Sequence, residues 1–153
     1  MQFLLNSAIW VALIALIPVF ASKLYEKHST NKAILAEVYR LLRVVAAHRD
    51  FWQRSVEDGS TGRRPFIPFT YRIYSNQIQN IGVIRPGIVA KVVEFYGDID
   101  FINAYQALKD PAVESGHLDE FNTAYIRFLS SILKQFEPAF QKEFKRLGIG
   151  PGK

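Results

Sequence analysis

STNKAILAEVYRLLRVVAAHRDFWQRSVED, Ser29 to Asp58, is the stretch on which the fold turns. Leu35, Val38, Leu42, Val45, Arg49, Trp52 and Val56 recur at alternating spacings of three and four, which gathers them on one face of an α-helix. A second apolar line of Ile34, Leu41, Val44 and Phe51 widens that face beyond the narrow seam of a two-stranded coiled coil, so the helix is expected inside a bundle. Ser29, Thr30 and Asn31 are candidate N-caps, and Gly59-Ser60-Thr61-Gly62 supplies the stop. The spacing therefore predicts a helix from Asn31 to Asp58, roughly 40 Å long at ~1.5 Å per residue.

Upstream, Phe3 to Ala21 reads FLLNSAIWVALIALIPVFA, 19 residues without one ionisable side chain. As a helix it spans roughly 28 Å, close to the hydrocarbon thickness of a bilayer. The expectation is a transmembrane anchor over residues 1–22, with Phe3, Leu4, Leu5, Trp10, Leu13, Ile14, Leu16, Ile17 and Phe20 in lipid. Asn6 and Ser7 fall near one end and Pro18 near the other, where headgroups and a mild kink are tolerated. The alternative is a cleaved signal peptide, because Val19-Phe20-Ala21 before Ser22 has the small-residue spacing of a cleavage site. Two features oppose it: the apolar run is long, and no Lys or Arg precedes it. Lys23, Lys27 and Lys32 follow the span, and the positive-inside bias then puts the C-terminal domain in the cytoplasm of a single-pass inner (plasma) membrane protein. Lys23, Tyr25 and Lys27 suit an interfacial anchor within a connector over residues 23–32.

Downstream, RRPFIPFTY reads as a loop, since Pro65 and Pro68 favour extended backbone. Tyr71, Tyr74, Ile78 and Ile81 predict a short helix over 71–81, closed by Gly82. Pro86 suits a helix first turn, and Ile88, Val89, Val92, Val93, Phe95, Tyr96, Ile99 and Ile102 form the buried side of a helix expected to end near Lys109, before Asp110-Pro111. The last helix is expected over 118–147, with Phe121, Tyr125, Phe128, Ile132, Phe136, Phe140, Phe144 and Leu147 in line and a bend near Pro138. The fold class is thus all-α: one N-terminal transmembrane helix, then an antiparallel bundle of three long helices and one short one over residues 33–148, and a tail over 149–153.

Ile73-Tyr74, Ile81-Gly82-Val83-Ile84, Arg85-Pro86 and Val92-Val93-Glu94-Phe95-Tyr96 form a pattern that resembles uncharacterised bacterial proteins with one N-terminal span and a small helical domain. The resemblance covers Leu35 to Leu108. It implies the anchor-plus-bundle layout and brings no activity, cofactor or catalytic residue. Read physically, Gly82 and Pro86 are the stop and start of two helices, with Val83-Ile84 plugging the corner. A functional reading of the same corner has it present Asn76, Asn80 and Arg85 to a partner.

The chain of 153 residues has no cysteine, which removes disulfides, thiolate metal sites and cysteine nucleophiles. His28, His48 and His117 are far apart and belong to no ligand-pair spacing, so no metal or cofactor is expected. Asp98 and Asp100, two apart on a helix, diverge around its axis. No nucleophile elbow, dinucleotide fingerprint or phosphate loop occurs, and the chain is read as non-enzymatic.

Charge is segregated: residues 1–39, 40–91, 92–120 and 121–153 carry +1, +6, −6 and +4. The basic stretch either faces anionic lipid, nucleic acid or an acidic partner, or lies against the acidic helix of Glu94 to Asp119, where exposed pairs contribute about 0–1 kcal/mol each. Bases that alternate with core residues argue against nucleic acid. Arg63, Arg64, Phe66 and Phe69, with Arg72, Asn76, Asn80 and Arg85, are the candidate partner-binding residues. The loop at 63–69 could insert at a membrane, grip a protein groove or cap the core. If the long helix runs straight from the anchor, that loop lies roughly 40 Å from the bilayer. Two functions follow as expectations. One is a membrane-tethered adaptor or accessory subunit that holds a protein partner at the cytoplasmic face. The other is a small-molecule sensor with a pocket between helices lined by Tyr74, Phe95, Tyr96 or Tyr125.

Overall fold

The computed structural model describes residues 2–61, 67–77 and 85–150, with side chains from Ile17 onward except Val19 and Gln77. Five helices account for most of it: α1 (Gln2–Glu57), α2 (Ile73–Gln77), α3 (Pro86–Gln106), α4 (Lys109–Glu114) and α5 (Leu118–Leu147). Among the described residues there is no strand, so the all-α class holds.

Tyr39 of α1 meets Phe144 of α5 and Trp52 meets Tyr125, each at 5.2 Å between ring centroids, so α1 and α5 run antiparallel. Phe95 of α3 meets Phe136 and Tyr105 meets Phe121, which makes α3 antiparallel to α5 as well. The helices α1 and α3 therefore run parallel. A parallel pair needs a connection that returns the length of the bundle, and residues 67–72, which form no helix, are part of it.

The core is the face the periodicity picks out. Ile34, Leu35, Val38, Leu41, Leu42, Val45 and Trp52 are buried on α1, and Phe121, Tyr125, Ile132, Phe136, Phe140, Phe144 and Leu147 on α5. Val44, Phe51 and Val56 lie outside it, at the margins of the stripe. At its two ends α5 carries Asp119 and Glu120 in the first turn and Lys145 and Arg146 in the last, each sign matching the helix dipole. It closes on Gly148, whose φ of 63° only glycine adopts without strain.

Three boundaries differ from expectation. Ser29-Thr30-Asn31 caps nothing: α1 is one helix of 56 residues through the connector, and Asn31 is buried inside it. Asp110-Pro111 does not stop structure but starts α4, because proline in a first turn forgoes an N–H that has no acceptor there anyway. The short helix is Ile73–Gln77, while Ile78 to Ile84, with the corner at Gly82, lies outside the described residues. Two short helices, α2 and α4, thus accompany the three long ones.

Among the described residues no helix is long and apolar enough to cross a membrane. The side chains of Phe3, Leu4, Leu5, Trp10, Leu13, Ile14 and Leu16, most of the expected anchor, lie outside the described set. Ile17 and Phe20 are exposed, as are Lys23, Tyr25 and Lys27 on the bare helical turns from Phe20 to Ser29.

Candidate functional site

The returning segment 67–77 is fastened to both parallel helices by polar side chains. Glu37 of α1 is buried, and its carboxylate accepts the backbone N–H groups of Arg72, Ile73 and Tyr74 at 2.8–2.9 Å and the hydroxyl of Tyr96 at 2.8 Å. These N–H groups open α2 and have no acceptor within it, so a carboxylate from another helix does the capping. Burial pushes the Glu37 carboxyl up, but the donated bonds from Ile73, Arg72, Tyr74 and Tyr96 outweigh it and leave the group below its ordinary range. Tyr96 is pushed well up by burial and by its bond to Glu37, and stays a hydroxyl donor.

Asn103 of α3 performs the same task one stretch earlier. Its Oδ1 accepts the Phe69 N–H at 2.8 Å and its Nδ2 donates to the Phe69 carbonyl at 2.9 Å, so one side chain satisfies both backbone groups of an extended residue. Arg40 donates to the Thr70 carbonyl at 2.8 Å, and Tyr71 donates to Asp100 at 2.7 Å. Burial and that bond hold the Tyr71 phenol up at about 12. Above these bonds the rings of Tyr74 and Tyr96 stack at 3.9 Å.

Of the expected partner-binding residues the structure describes Phe69, Arg72, Asn76 and Arg85. Arg63, Arg64, Phe66 and Asn80 lie outside the described residues. Phe69 is only 5% exposed and packs edge-on to His48, so it caps the core and offers nothing to a partner. Arg72 and Asn76 are exposed near the level of Glu37, and Arg85 is exposed but pairs with Glu143 at 3.4 Å. Because α1 is one helix past Asn31, its end at Glu57 stands roughly 50 Å along the helix from Ala21 at ~1.5 Å per residue.

The basic and acidic stretches do not neutralise each other across the bundle in the ion pairs seen among the described residues. Lys91–Glu94, Arg49–Asp50, His117–Glu120 and Arg146–Glu143 are local, and Arg85–Glu143 joins α3's start to α5.

At the far end of the bundle a buried polar cluster sits among rings. The Trp52 indole donates to Asn122, which donates on to Thr61 and pins the chain leaving α1 to α5. Gln106 donates to the Tyr125 hydroxyl. His48 stacks on Trp52 at 5.8 Å, and burial holds its pKa below the ordinary value. Its Nε2 and Gln106 Oε1 are buried without a protein partner, beside a hollow of about 10 Å³ that suits one water molecule. No group of three or more potential metal ligands occurs among the described residues. The sensor pocket expected around Tyr74, Phe95, Tyr96 and Tyr125 is filled by the rings themselves, which pack on one another and on Phe136 and Trp52.

An apolar hollow lies elsewhere, between α1 and the C-terminal half of α5. Tyr39, Leu42, Ala46, Leu133 and Phe144 floor a groove of about 360 Å³, rimmed by Arg43, Glu137 and Lys145. Sequence reading missed it because its walls are ordinary core positions on two helices. Glu37 did leave a signal: it is an acid inside the apolar line of Ile34, Leu41 and Val44. Comparison with known protein families, characterised proteins and solved structures found no match to this chain.

Proposed function

We propose that this chain is a membrane-anchored, non-enzymatic helical adaptor or accessory subunit that holds a protein partner at the cytoplasmic face of the inner (plasma) membrane. The observation that carries the reading is the continuity of α1: one helix, Gln2–Glu57, joins the 19-residue uncharged stretch to the bundle core without a break. A continuous helix transmits position and orientation, which a flexible tether does not. The lysines at 23, 27 and 32 support the cytoplasmic side. The polar side chains inside the bundle serve to fasten residues 67–77, an arrangement suited to a rigid display surface. Membrane fractionation with carbonate extraction tests the anchor, and proximity labelling from the C-terminus tests the partner. Full-length chain in the soluble fraction, or labelling that never enriches one stoichiometric protein, would sink the reading.

The groove between α1 and α5 favours a second reading, a membrane-tethered small-molecule sensor. Its volume of about 360 Å³ lies within the range of ligand pockets, with an apolar floor and a few charged groups on the rim. Leu42→Trp fills the groove. A sensor loses its ligand response in that variant, whereas an adaptor keeps its partner.

A further inference from the structure

Helix α3 is apolar on more sides than its packing uses. Its inward residues Val92, Phe95, Tyr96, Ile99 and Ile102 are buried against α5, α1 and residues 67–77. Its outward residues are apolar too. Ala90, Val93, Gly97, Phe101 and Ala104 are all exposed, Phe101 at 52%, and at 100° per residue they fall within an arc of about 80°. Leu108, just past the helix end, extends the strip and is 53% exposed. Helix α3 thus has two apolar faces, and no described residue covers the outer one.

Gly97 sits at the middle of that strip, in ordinary helical conformation, and a Cβ built on it meets nothing within 4 Å. Glycine inside a helix is destabilising relative to alanine, and no turn, positive φ or close neighbour among the described residues accounts for it. The remaining use of such a glycine is to let a second backbone come close.

The rim says which kind of backbone. Asp98, Glu94, which pairs with Lys91 and accepts from Gln135, and Asp100, which accepts from Tyr71, flank the strip, and Asp110, Glu114, Asp119 and Glu120 continue the same sign over α4 and the start of α5. Burial and the neighbouring Glu94 raise the Asp98 carboxyl above its ordinary value. A second copy of this chain would bring the same acidic rim against itself, and an anionic bilayer would be repelled. We infer that the outward face of α3 docks an amphipathic helix of a partner protein whose apolar side is flanked by lysines or arginines. Small residues on the strip admit the helix closely, Val93 and Phe101 supply apolar contact, and the carboxylates select its charge. The inference rests on the adaptor reading and names the surface that reading lacks.

The test uses the full chain in phosphatidylcholine nanodiscs, with empty nanodiscs as baseline. The probes are two labelled 18-residue helical peptides, one of Leu, Ala and Lys and one of Leu, Ala and Glu, read by fluorescence anisotropy. The expected result is binding of the Lys peptide alone, weakened severalfold when salt rises from 50 to 300 mM. Gly97→Leu and Val93→Asp should each weaken it at least tenfold with helicity unchanged by circular dichroism. Gly97→Ala separates docking from folding, since it should raise the melting temperature while weakening the peptide. Equal binding of both peptides, binding no tighter than to empty nanodiscs, or binding indifferent to Gly97→Leu would each overturn the inference. So would a dimer of the free chain that Gly97→Leu dissociates, which would make the occupant a second copy. A cellular partner captured equally by wild type and Gly97→Leu would sink this surface and leave the adaptor reading intact; capture of no partner would sink the adaptor reading whatever the peptides do.

Discussion

The Tyr96 hydroxyl donates to Glu37 at 2.8 Å between the two parallel helices, and the same carboxylate accepts the N–H groups of Arg72, Ile73 and Tyr74 at the start of α2. One acid thereby joins α1, α2 and α3. Buried charge of this kind is tolerated because every lone pair in use meets a donor.

Removing Glu37 should be the costliest polar substitution in the bundle. Glu37→Ala leaves three backbone donors and a phenol without their acceptor, and about 2–4 kcal/mol of stability should be lost, with Tyr96→Phe costing roughly 1 kcal/mol. Denaturant unfolding of both single variants and the double variant gives the coupling, which should be well above zero. Since the folded carboxyl is below its unfolded value, its contribution is full above about 4.5 and is lost as pH falls through the folded value. Glu37→Gln should therefore flatten the acid limb of the stability curve.

Asn103→Leu preserves bulk and removes both bonds to Phe69. A loss of about 1–3 kcal/mol is expected, because the Phe69 N–H and carbonyl are left without partners in a half-buried place. Limited proteolysis should then cut within residues 67–72 sooner than in the wild type, and unchanged cleavage would mean that Arg40 and Glu37 alone hold the segment.

His48 should make the bundle sensitive to mild acid. Burial lowers its folded pKa from 6.5, so the neutral ring is the one that fits. Its contribution is full above 6.5 and declines as pH falls from there through the lowered value, a window that opens at higher pH than that of Glu37. Lys109 lines the same hollow and adds a second positive charge when the imidazole protonates. Unfolding followed at pH 7.5 and 5.5 should show a loss that His48→Phe, which keeps the stack on Trp52, largely abolishes.

Two glycines should respond in opposite directions. Gly97→Ala should stabilise by about 0.5–1 kcal/mol, since the new methyl meets nothing and the unfolded chain loses freedom. Gly148→Ala should destabilise by about 1 kcal/mol, since its φ of 63° strains any residue with a Cβ. Thermal melts of the two variants in the same detergent decide both.

Helix content, the inward face of Ser29–Asp58 and the whole of Leu118–Leu147 were readable from residue order. Helical periodicity links residues three and four apart, and such links need no knowledge of the rest of the chain. The absence of helix at Ile67, Pro68 and Phe69 was readable for the same reason, because proline restricts its own and its neighbour's dihedrals locally. The role of Glu37 was not read from the sequence, because its partners are 35 to 59 positions away and no spacing rule couples such distances. Folding alone showed that α1 passes through Ser29-Thr30-Asn31 without a break, because packing of Ile34, Leu35 and Val38 overrides a capping preference worth about 1 kcal/mol. It likewise turned Phe69 from a surface candidate into core and left the face around Gly97 bare, since which sides of a helix find neighbours is settled only when the helices meet.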